Sequence, residues 1–99
     1  MTLKEALFNW LQIKVVWDAR PQDRSAEETA HFFRKILEVD HGVEAIEVQL
    51  QKQAYHVHYR QSGSEHEVRF ERDHVKQLLT SIETEPKYNQ NFSSDSQED

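Results

Sequence analysis

AIEVQLQKQAYHVHYRQSGSEHEVRF, residues 45–70, alternates apolar and polar side chains in three successive runs, and a period of two is what a half-buried β-strand requires. In the first run Ile46, Val48 and Leu50 alternate with Glu47, Gln49 and Gln51; in the second, Tyr55, Val57 and Tyr59 alternate with His56, His58 and Arg60. Between the second and third runs, Gln61-Ser62-Gly63-Ser64 is a Ser-Gly loop with a glycine for the position that needs positive φ, so it closes a hairpin. A two-residue and a four-residue loop give the same register, pairing Tyr55 with Phe70, Val57 with Val68 and Tyr59 with His66. The first turn, Gln51-Lys52-Gln53-Ala54, has neither Gly nor Pro, and its register follows from the faces instead. A slip of one residue would turn every apolar side chain outward, so Leu50 pairs with Tyr55, Val48 with Val57 and Ile46 with Tyr59. The other face then carries the rows Glu47–His58–Glu67 and Gln49–His56–Arg69, with Arg60 opposite Glu65.

Helical spacing flanks this meander. Thr2 and Glu5 have the spacing of a capping box, and Leu3, Leu7, Trp10 and Leu11 recur at helical intervals, which predicts a first helix over 3–16. Ile13 to Trp17 is also β-branched and alternating, and five residues do not decide between helix and strand. Pro21 disfavours helical geometry at Arg20, leaving 18–24 as a polar connection. Ser25 with Glu28 forms a second capping box, predicting a helix over 26–39 with Phe32, Phe33, Ile36 and Leu37 on its apolar face. Gly42 supplies its left-handed C′ residue. Two adjacent phenylalanines call for burial, and the apolar face of the meander is the expected place. After the third strand, Asp73 is placed to cap a final helix whose stripe is Val75, Leu78, Leu79 and Ile82, ended by Pro86.

These elements predict an α+β fold of order α-α-β-β-β-α, with the helices on one face of a three-stranded antiparallel meander. Ninety-nine residues suit one domain, expected over 1–86. Residues 87–99, with Asn89-Gln90-Asn91 and a run from Ser93 to Asp99 of Ser, Asp, Gln and Glu, read as a disordered acidic tail. A net charge of −6 argues against binding nucleic acid through phosphate neutralisation. With no cysteine, a disulfide framework and a thiolate site are excluded. No long apolar run and no basic leader followed by one is present, so the expected location is the cytoplasm, with no membrane contact.

Catalytic signatures are missing: there is no Gly-rich phosphate loop, no G-x-S-x-G and no H-E-x-x-H. The chain is therefore expected not to be an enzyme and to carry no cofactor. Its most distinctive feature is the polar sheet face. There His56 and His58, with Glu47 and Glu67 beside them, form the one cluster resembling an imidazole–carboxylate metal site. Cross-strand charge pairing on a solvated face explains the same residues without a metal. The leading expectation is a protein-interaction or regulatory module contacting another protein or itself, the latter as a homodimer through an unprotected sheet edge. Trp17, His56, His58, Arg60 and Arg69 are the candidate contact residues. Metal or small-ligand binding by the histidine and glutamate cluster is the alternative.

Overall fold

The computed structural model describes residues 1–84; the expected tail over 87–99 and the domain end at 86 lie outside them. The order is α1 (Leu3–Ala19), α2 (Arg24–His41), β1 (Val43–Gln51), β2 (Ala54–Gln61), β3 (Ser64–Glu71), α3 (Arg72–Val75) and α4 (Gln77–Thr84). The α+β architecture is the expected one. The strands form an antiparallel sheet of order β1-β2-β3, and its register matches the sequence reading pair for pair, from Leu50 opposite Tyr55 to Arg60 opposite Glu65. In the β2–β3 turn both Ser62 (φ 54°) and Gly63 (φ 80°) have positive φ, the type I′ pattern that suits the twist of a two-residue hairpin. Lys52 has φ 56°, so the β1–β2 turn places a non-glycine residue where glycine is favoured.

One apolar cluster joins helices and sheet. It contains Ala6, Leu7, Trp10 and Leu11 of α1, Leu37 of α2, Val43, Tyr55, Val57 and Phe70 of the sheet, and Val75 of α3. No polar or charged residue among those described is buried, so burial of apolar area holds the core together without interior ion pairs. The helix laid most fully into this cluster is α1.

Several local expectations are corrected. The first helix runs on through 13–17 to Ala19. Val16 is 1% exposed, and Lys14 reaches Asp18 one turn on at 2.8 Å, a pairing that only helical spacing allows. The Thr2–Glu5 capping box forms as expected, with both reciprocal bonds present. Helix α2, however, is capped by Asp23 and not by Ser25: the Asp23 carboxylate accepts from the Ala26 amide at 3.1 Å. Asp23 is the earlier of the two capping residues after Pro21, and starting there lengthens the helix by two residues and adds backbone bonds, Glu27 N–H to Asp23 C=O among them, since each propagated residue adds one. The last helix is broken at Lys76 into α3 and α4, with no side-chain cap from Asp73. Asp73 lies beside Arg72 Nε at 3.4 Å, while burial of Val75 (0% exposed) anchors the first turn.

Candidate interaction surface

The polar sheet face assembles as its register requires, but its shortest contact is diagonal. Glu67 stands directly opposite His58, yet its Oε2 lies 2.9 Å from His56 Nδ1. Diagonal neighbours are within reach on a sheet, and Arg69, opposite His56, turns instead to Glu71 at 3.2 Å. Arg60 does meet Glu65, at 3.5 Å. Of the metal candidates, the geometry thus brings His56 and Glu67 together and joins neither His58 nor Glu47 to them by a hydrogen bond. Among the described residues no group of three or more His, Asp or Glu side chains is placed to hold an ion. Each pair is solvated on at least one side, so the face is a mosaic of weak, alternating charges.

Trp17, the expected exposed anchor, is half-buried because α1 continues past it. Its ring stands edge-on to His31, 5.3 Å between centroids. At the far end of the meander, Tyr59 stacks on His66 at 5.2 Å, as their pairing in the register suggests. Tyr55 is 7% exposed; burial raises its phenol pKa above the usual value near 10, Arg72 opposes this and Asp18 reinforces it.

The apolar surface that remains open was not legible in the sequence. Phe32 is 60% exposed, Val39 69% and Leu50 48%. On α2, Phe32, Ile36 and Val39 fall at i, i+4 and i+7 and so share one line of the helix. Ile36 and Phe33 still pack on the core, and the Phe32 ring meets the Phe33 ring at 5.3 Å. The apolar arc of α2 is therefore wider than the arc its neighbours cover.

Strand β1 leaves an open edge. The β1–β2 turn is closed at Gln51 and Ala54, a hydrogen-bonded pair by turn geometry. Bonded and non-bonded pairs alternate along an antiparallel ladder, so Glu47 and Gln49 bond to β2 while the N–H and C=O groups of Ile46, Val48 and Leu50 point out of the sheet. No other strand lies on that side among the described residues. A bulge between Val43 and Ala45 ends the regular run.

A cleft of about 840 Å³ lies between the first turns of α1 and the β3–α3 corner. Its floor is aromatic, with Phe8 against Phe70 at 5.7 Å and against His74 at 4.8 Å, and its rim mixes Lys4 and Arg69 with Glu5 and Glu71. Its walls are more than fifty positions apart in the chain, which is why no local pattern announces it.

Fold and surface define a small α+β protein with a solvated, charge-alternating sheet face, an exposed aromatic helix arc and an open edge strand. The chain matches no protein-family model, no curated protein and no solved structure. No helix among the described residues is long and apolar enough to cross a membrane.

Proposed function

We propose that this protein is a non-enzymatic interaction or regulatory module of the cytoplasm, contacting another protein or a second copy of itself. The observation that carries this is the exposure of Phe32 and Val39 along one line of α2 and of Leu50 on β1, a strand whose outward backbone groups have no partner among the described residues. Apolar side chains grouped in this way mark contact sites more often than singly scattered ones do. His56, His58, Arg60 and Arg69 on the polar face supply a charge pattern that would select among partners, since rim charges act chiefly on specificity and association rate.

The test is affinity capture with the full chain as bait, comparing wild type with Phe32→Ser and Leu50→Ser. These side chains contribute little to the core, so both variants should melt near the wild-type temperature. The expected result is a protein retained by the wild type, or self-association, that either variant reduces at least about tenfold, as loss of an apolar anchor would. Capture indifferent to both substitutions, or no capture and no self-association at all, overturns the proposal.

A further inference from the structure

We propose that the partner of the β1 edge is a second copy of this chain, the two β1 strands pairing antiparallel about a two-fold axis at Val48. This rests on the interaction role proposed above and names its partner. A strand can pair with itself only if its outward-facing groups and its side chains both match on reversal. In β1 the outward groups belong to Ile46, Val48 and Leu50. Reversal about Val48 sets Val48 against Val48, Ile46 against Leu50 and Glu47 against Gln49, so each apolar side chain meets an apolar one on the same sheet face. It also brings Glu44 level with Lys52 of the second copy, twice by symmetry. Both residues are exposed, and both stand just beyond the regular run.

The neighbouring registers with the same hydrogen-bond phase are poorer. An axis at Glu47 sets Glu47 against itself and Leu50 against Glu44. An axis at Gln49 sets Ile46 against Lys52, and one at Ile46 sets Val48 against Glu44. Charge decides between the two edges as well. Between Ala45 and Gln51, β1 carries Glu47 as its sole charge, whereas β3 carries Glu65, Glu67, Arg69 and Glu71, the kind of charged edge that resists pairing. Pairing at Val48 would extend the three-stranded sheet of each copy into one continuous sheet across the axis and cover the exposed Leu50.

Sedimentation equilibrium of the full chain tests this, over a range from about 1 to about 300 μM that spans the weak affinities of a small interface. The expected result is a monomer–dimer equilibrium in wild type and a monomer throughout for Leu50→Lys. Glu44→Lys and Lys52→Glu should each weaken dimerisation by about 3- to 30-fold, since each replaces two exposed attractions by repulsions. The double swap should recover the wild-type constant to within about threefold. Circular dichroism confirms folding, and should Leu50→Lys fail to fold, the charge swap decides. A wild type that is monomeric throughout overturns the inference, as does a dimer insensitive to Leu50→Lys or one that the double swap does not restore. A monomer that still captures another protein through Phe32 or Leu50 overturns self-pairing alone. A monomer that captures nothing overturns the interaction role too.

Discussion

Phe32 and Phe33 are neighbours with opposite fates, because successive residues of a helix point about 100° apart. Leu37, 0% exposed, marks the line of α2 that faces the core; Phe33 lies about 40° from it and Phe32 about 140°. Leu37→Ala should therefore cost about 2–5 kcal/mol through lost burial and a cavity, while Phe32→Ala should change stability by no more than about 0.5 kcal/mol. Urea denaturation of both variants checks this, and a large loss at Phe32 would mean its ring is covered. Tyr55 gives a pH-dependent counterpart. Its phenol pKa is raised in the fold by burial, so the folded state favours the neutral ring. For an acid with a raised folded pKa, that contribution is fully present below the unfolded pKa, about 10, and fades as pH rises through the folded one. Melting temperature should thus fall as pH is taken above about 10, and Tyr55→Phe should flatten that fall. An equal alkaline slope in both proteins would show that Tyr55 ionises as readily folded as unfolded.

At the scale of elements, caps decide where helices begin. Thr2 and Glu5 close their box as the spacing suggests, with both reciprocal bonds made. Ser25 and Glu28 present the same signal, yet Asp23 holds the α2 terminus. Asp23→Ala should cost about 1 kcal/mol and Ser25→Ala close to nothing, read from denaturation midpoints. A larger cost at Ser25 than at Asp23 would place the start of α2 at Ser25 after all. Asp23 also lies 3.4 Å from Arg20, so Asp23→Asn, which keeps a capping oxygen, separates the cap from the ion pair. The final helix breaks at Lys76 because α3 is set by Val75 in the core, whereas no residue of α4 is fully buried.

At the scale of the whole molecule, β2 lies between two partners and β1 has one. Amide exchange should reflect this. In dilute protein the Glu47 and Gln49 amides, bonded to β2, should exchange slowly and those of Ile46, Val48 and Leu50 fast, whereas every second amide of β2 is protected by one neighbour and the rest by the other. Uniform protection along dilute β1 would show that its outer side is covered within the monomer. The sequence by itself determined the α+β class, the strand order and the cross-strand pairs from Ile46–Tyr59 to Arg60–Glu65, because a slip of one residue would turn Tyr55, Val57 and Phe70 outward and the short turns fix the rest; the bulge that pairs Val43 with Gln61 was not legible in it. Only the tertiary structure decided which helix fills the core, which of two phenylalanines is exposed, that Glu67 turns to His56, and that an aromatic cleft forms where α1 meets the β3–α3 corner. Periodicity reports that a face is apolar, and it is silent on how wide an arc the neighbouring elements will cover or which diagonal contacts they bring within reach.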